Sequence, residues 1–278
     1  RYYLQANLTA EASSRFGADA ENSLKAFDAA WGIFPGVQAS WVVSNEPWFA
    51  KVRGIDYLRL NVGYDVSGND DIDYFAARSY FSAVKFLDAI SGISFENIGN
   101  TRLQWETTRR FNVGFETNLI NNRLNLRFNY FNSKTDHLLT YQALGFLTGI
   151  EKNWGNGGSL KNEGFDVTAV GKLVAMKSFQ WELGLSVGHY KNKITSLADD
   201  ATYFDSSVYG ATTRTEVGKP ANMFYGYVTD GVFSTSEEAA AAALYVLGDN
   251  GVDKNYFGAG DMRFVDLNGD HKIDEHDR

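Results

Sequence analysis

The chain has 278 residues, enough for one large or two ordinary domains, and its 26 Lys and Arg against 34 Asp and Glu give a net charge of −8. That acidic balance excludes a nucleic-acid surface, which is basic, and the absence of cysteine excludes a disulfide framework and any thiolate metal site. With 15 Tyr, 20 Phe, 6 Trp and 27 Gly but only 3 Pro, the composition favours many strands joined by turns.

No apolar run of about 18 residues occurs, so no transmembrane helix is expected. A membrane barrel shows none either, because its apolar residues are interleaved with polar ones. In the first strand Leu4, Ala6, Leu8 and Ala10 alternate with Gln5, Asn7, Thr9 and Glu11. Arg1-Tyr2-Tyr3 already belong to it, with no initiator Met or signal peptide ahead, and the chain stops in a charged loop at Asp277-Arg278. The expectation is an internal segment of a larger protein.

After a polar loop over 12–33, a second strand (34–44) sets Val37, Ala39, Trp41 and Val43 against Gln38, Ser40 and Ser44. A connection over 45–56 leads to a third, with Leu58, Leu60, Val62, Tyr64 and Val66 on one face. A long loop over 68–105 follows. Residues 109–133 then read as two strands around a very short turn at Ile120-Asn121-Asn122. Phe111, Val113, Phe115, Leu124, Leu126, Phe128 and Tyr130 share the apolar face, and Arg110, Glu116 and Arg127 the polar one. Each of the two has the roughly 9–11 residues that cross a bilayer core when tilted. Beyond a loop over 134–162 come strand six (Phe165, Val167, Ala169, Gly171 and Leu173), a turn over 174–178, and strand seven (Phe179, Trp181, Leu183, Leu185 and Val187).

The connections alternate between long and short, as in outer-membrane barrels with short periplasmic turns and long extracellular loops. The predicted fold is therefore all-β: an antiparallel transmembrane β-barrel segment with long extracellular loops. Residues 1–190 hold seven barrel strands, and 191–278 an extracellular excursion. In the excursion, 222–233 read as a strand with its own turn, and Thr235-Ser236-Glu237-Glu238 has capping-box spacing ahead of a short helix over 239–243.

One stretch has the ligand order of a calcium loop. Asp266, Asn268, Asp270, Asp274 and Asp277 stand at positions 1, 3, 5, 9 and 12, Lys272 at position 7 would offer its carbonyl, and Ile273 at position 8 would anchor the loop. Two positions depart from the pattern, His271 in place of Gly and Asp277 in place of Glu. The competing reading is an Asx-rich turn whose carboxylates cap local amides. The four histidines have no zinc-type spacing, no nucleophile motif stands out, and no enzyme is expected. Loop aromatics Tyr141, Phe146, Trp154, Phe204 and Tyr209 would either stack on a sugar or partner, or pack their loops together.

In order along nearly the whole chain stand Ala12-Ser13-Ser14-Arg15-Phe16-Gly17, Phe34-Pro35-Gly36-Val37, Ile55-Asp56-Tyr57-Leu58-Arg59-Leu60, Trp105-Glu106-Thr107-Thr108, Asn121-Asn122-Arg123-Leu124, Gly158-Ser159-Leu160-Lys161-Asn162-Glu163-Gly164-Phe165, Phe224-Tyr225-Gly226-Tyr227 and Asp266-Leu267-Asn268-Gly269-Asp270. Together they resemble the C-terminal half of the barrel in SusC/RagA-type TonB-dependent outer-membrane transporters of Bacteroidetes. The resemblance implies a 22-stranded barrel in the outer membrane and an N-terminal plug that lies outside this chain. It also implies drive from the TonB complex, a SusD-like surface lipoprotein as lid, and oligosaccharides or peptides as cargo. The alternatives are a SusC-like structural subunit of a larger outer-membrane assembly and a secreted β-rich binding module.

Overall fold

The computed structural model describes every residue except 22, 28, 87–89 and 144–151. It divides into two compact units: Arg1–Thr202 with Glu216–Pro220, and Tyr203–Thr215 with Ala221–Arg278. The first contains seven long strands: β1 (Tyr2–Ala12), β2 (Ala29–Val42), β3 (Ile55–Asn69), β4 (Glu106–Leu119), β5 (Leu124–Asp136), β6 (Ser159–Ala175) and β7 (Gln180–Ser196). They pair in sequence order, each antiparallel to the next, and Leu24–Ala26 joins β2 to complete an eight-stranded sheet. Connections 13–28, 70–105 and 137–158 lie at one end of the sheet, and 43–54, 120–123 and 176–179 at the other.

At the long-connection end every strand runs further than its alternation marks, and β7 passes Tyr190 to reach Ser196. Ladder hydrogen bonds hold these residues after the apolar pattern has faded, because the backbone pairs regardless of side-chain type. β2 stops at Val42, where Val43–Asn45 turns into a 3₁₀ helix.

Directly opposed residues share a face, so the register can be followed across the sheet. One row runs Tyr2, Trp41, Leu60, Phe115, Phe128, Val167 and Val187, and its neighbour Leu4, Ala39, Val62, Val113, Tyr130, Phe165 and His189. Phe115 stacks on Phe128 at 5.6 Å between centroids. Nothing among the described residues of this unit covers the face: Leu4 is 77% exposed, Leu185 65% and Phe111 43%. A soluble sandwich buries such a face against a second sheet, and contiguous open apolar area of this extent marks an interaction surface. β6 shifts register between Lys172 and Val174, so Leu173 is a bulge.

The core of this unit lies in its long connections, where Phe16, Ala20, Ile72, Ala76, Ala77, Leu103 and Trp105 gather with Ala30 and Phe34 of β2. Trp105 meets Phe16 at 4.7 Å and Phe34 edge-on at 5.3 Å. The Gly17 amide donates to the Leu103 carbonyl at 2.9 Å, an approach so close that a β-carbon at Gly17 would collide with the Thr101 backbone. These connections also contain hairpins, Tyr80–Phe86 with Ile90–Asn97 and Leu139–Ala143 with Lys152–Asn156.

The second unit has a core of Phe233, Ala239, Leu244 and Ile273, flanked by Phe257 and Phe264. Sequence reading is corrected at 222–233, which forms no hairpin with itself. Met223–Phe224 pairs with Ala211–Glu216, and Thr229–Val232 with Met262–Phe264. Local pattern names strands but not partners, which for Thr229–Val232 are decided by closing a loop of about thirty residues. The helix is Ser236–Ala242, with Thr235 Oγ1 accepting from the Glu238 amide at 3.2 Å. Glu238 returns to the amide of Ser234 rather than to that of the cap itself.

Candidate functional site

The polar face of the sheet is continuous. Arg59, Glu116, Arg127, Thr168 and Ser186 form one row, and Asp65, Arg110, Ser133 and Asn162 another. Glu11, Asp166 and Glu182 stand on the same face by alternation. The side chains hydrogen-bond along and across strands. Arg59 donates to Ser40 Oγ at 2.9 Å and Ser40 to Asn61 Oδ1 at 2.8 Å. Arg127 pairs with Glu116 at 3.1 Å, and Asn129 donates to Asp166 Oδ1 at 3.1 Å. Arg59, Asn61, Asn112, Glu116, Arg127, Asn129 and Asp166 line an open recess of about 350 Å³. A second, of about 440 Å³, is lined by Arg110, Asn112, Asn129, Phe131, Ser133, Asn162 and Tyr190. Donors and acceptors spread evenly in this way can replace the water around a polar solute over many positions.

Of the loop aromatics, Tyr141 and Trp154 stack at 4.0 Å, and both donate to Asp73 Oδ2, at 3.1 and 2.8 Å. They bind connection 137–158 to connection 70–105. Phe146 lies outside the described residues. Phe204 and Tyr209 are exposed on the hairpin of the second unit, Tyr209 at its tip with φ +50°. Arg15 bonds Asp70 at 2.7 Å beneath the Tyr74 ring, and the carboxylate raises its guanidinium pKa further.

Asp266, Asn268, Asp270, Lys272, Asp274 and Asp277 come together as a tight loop, with their oxygens engaged locally. Asp266 accepts from the Gly269 and His271 amides at 2.7 and 2.8 Å, which hold its carboxyl below the usual range. Asn268 accepts from Asp270, and Asp270 from Lys272. The Lys272 ammonium takes an oxygen of Asp274 at 2.6 Å and, with His276, lowers the Asp274 pKa strongly. Asp277 is fully buried and accepts from the Leu267 and Asp274 amides, both at 2.9 Å. Ile273 is buried in the core, where its place in the pattern put it. Among the described residues no group of three or more His, Cys, Asp or Glu is arranged to hold a metal ion.

One cluster escaped the sequence reading. Arg214 forks onto Asp205 at 2.7 and 2.8 Å, with the rings of Tyr225 and Tyr203 at 3.5 and 4.0 Å from its guanidinium carbon. The pairing raises Arg214 and lowers Asp205. Its one signal was the symmetric placing of Asp205 and Arg214 about Tyr209-Gly210.

Comparison with known proteins agrees with this architecture. Residues 1–276 match the family model for the β-barrel of TonB dependent receptor-like proteins. TonB-dependent receptor P39 of Formosa agariphila is 29% identical over 240 residues, 86% of this chain and 22% of the relative. TonB-dependent receptor SusC of Bacteroides thetaiotaomicron is 28% identical over 244 residues, 82% of this chain and 23% of SusC. Among solved structures, a chain of the RagAB peptide transporter superposes with a TM-score of 0.75 at 22% identity, over 95% of this chain and 28% of that one. The chain thus spans about a quarter of the length of the curated relatives it matches.

Proposed function

Because the chain belongs to the TonB-dependent receptor-like β-barrel family, we propose that it is part of the wall of an outer-membrane importer for oligosaccharides or peptides. The carrying observation is the sheet of seven long strands with an open apolar face, a hydrogen-bonded polar face, and its long connections all at one end. In the proposed orientation the apolar rows meet lipid and the polar rows line the lumen. The short turns, Asn121-Asn122 among them, face the periplasm, and the long connections with residues 203–278 face outward. A SusD-like lipoprotein closes the outer end and the TonB complex drives transport. The similarity to TonB-dependent receptors, SusC among them, supports drive from TonB, and the superposed RagAB chain comes from a peptide transporter, one of the two cargo classes. In this reading solute moves past paired charges and amides.

Deletion of the full-length gene tests the proposal. Growth on one oligosaccharide or peptide mixture should be lost, and affinity purification of the intact protein should bring down a surface lipoprotein. Normal growth on every substrate, with defective assembly of other surface proteins, would overturn import in favour of a structural subunit.

A further inference from the structure

On the apolar face of the sheet, one row differs from the rest. Arg109, Lys134, Lys161 and Lys193 are directly opposed across β4, β5, β6 and β7. No register shift separates them from Phe115, Phe128, Val167 and Val187, so all eight side chains leave the sheet on the same side. Lys191 stands on that side too, opposite Glu163. Inward neighbours Ser133, Thr135 and Ile194 are buried, whereas the four cations are exposed.

Charge is unbalanced here, on a chain that is acidic as a whole. Arg109 and Lys134 share Asp136, at 2.7 and 2.8 Å, and Lys161 and Lys191 share Glu163, at 3.4 and 2.9 Å. Lys193 has no carboxylate partner among the described residues. Five cations therefore face two carboxylates. Between this row and the Leu119–Leu124 pair at the short-turn end, the face of β4 and β5 carries no other Lys or Arg.

The height of the row is informative. Each cation lies six residues from its own partner in the Phe115, Phe128, Val167 and Val187 row, about 20 Å along its strand and roughly 14 Å along the membrane normal at a 45° tilt, and because opposed residues run perpendicular to the strands the row climbs by roughly 10 Å from one end to the other. With Phe128 near mid-depth, Lys134 stands about half the hydrocarbon thickness of about 30 Å away, where head groups begin, and the long side chains of its neighbours reach the same zone from several Å above and below. From Arg109 to Lys193 the row spans about 14 Å, three strand spacings.

We propose that Arg109, Lys134, Lys161 and Lys193 bind the phosphate groups of lipid head groups in the membrane leaflet at the long-connection end. The proposal rests on the membrane orientation given above. Its warrant is charge complementarity at a surface continuous with the lipid-facing band. Lysine and arginine at this depth attract anionic head groups, and the guanidinium of Arg109 can take two phosphate oxygens at once. Shared carboxylates keep the row folded and partly neutral until phosphate oxygens add to or replace them.

The test uses the full-length protein in detergent micelles, titrated with lipid A carrying its phosphates and with phosphate-free lipid A. The wild type should prefer the phosphorylated form. The combined variant Arg109→Gln, Lys134→Gln, Lys161→Gln and Lys193→Gln should lose at least about ten-fold of that affinity, whereas the lumen-face control Lys172→Gln should not. Equal binding of the two lipids, unchanged binding by the four-fold variant, or loss of the lipoprotein partner with lipid binding intact would each overturn the proposal. A nitroxide at Phe128 separates this outcome from failure of the orientation itself. If the label is relaxed by lipid-soluble oxygen while phosphate has no effect, only the lipid site fails; if it reports water, the orientation fails first.

Discussion

At the residue scale, depth and burial set the sizes of effects. Phe115 lies in the middle of the apolar rows, so Phe115→Arg should cost about 2–4 kcal/mol, the penalty for Arg at a bilayer midplane. Folding into vesicles, followed by denaturant titration, measures it; a harmless substitution would put this face out of the lipid. In the acidic loop, Asp277→Ala strands the Leu267 and Asp274 amides, which should cost about 1–3 kcal/mol. Asp274 and His276 give the same loop a pH dependence. His276 is raised by its bond to Asp274, so its contribution is complete below its unfolded value near 6.5 and is lost as pH rises through the raised one. Asp274 is lowered, so its contribution is present above about pH 4 and is lost as pH falls through the depressed value. Protection of the His276 amide against exchange, relative to an unfolded peptide at the same pH, should therefore be greatest between about pH 4 and 6.5, and His276→Asn should flatten the alkaline side. Calcium would share Asp266 with the Gly269 and His271 amides, which take one lone pair on each carboxylate oxygen. Metal-dependent stabilisation that Asp266→Ala abolishes would establish a calcium site, and an unchanged melting curve would leave the carboxylates as turn caps.

At the scale of elements, the β4–β5 turn puts three consecutive residues in the left-handed region. Ile120, Asn121 and Asn122 have φ of +57°, +54° and +57°. Asn tolerates the left-handed region, but a β-branched residue pays about 1–2 kcal/mol there. Ile120 is exposed, so Ile120→Asn should stabilise the barrel by about 1 kcal/mol, read as a shift in the urea midpoint. The strands themselves were legible because period-2 alternation is local. The hairpins inside connections 70–105 and 137–158 were not, since what fixes them lies outside each hairpin: Tyr141 and Trp154 donate to Asp73, and Asn97 to the Ala76 carbonyl.

On the scale of the whole molecule, the polar face is a set of paired charges that contributes little to folding. Arg127 is well exposed and bonded to Glu116, an arrangement worth about 0–1 kcal/mol. Arg59→Gln with Arg127→Gln should lower solute uptake several-fold with little change in the unfolding midpoint. Uptake by whole cells, beside heat-modified gel migration of the folded barrel, separates the two effects. Equal loss of both would make the row structural.

Alternation and strand length by themselves determined a two-faced all-β sheet and its apolar face, since both are written in side chains a few residues apart. The helix cap at Thr235 and the apolar anchor Ile273 were local in the same sense. Only the tertiary structure decided what depends on register: which cations of β4 to β7 stand side by side, how Asp205 and Arg214 close on each other between two tyrosines, and that the carboxylates of 266–277 are occupied by nearby amides. A one-residue slip in any ladder would carry Arg109, Lys134, Lys161 or Lys193 to the opposite face, and alternation within one strand cannot fix its position against the next.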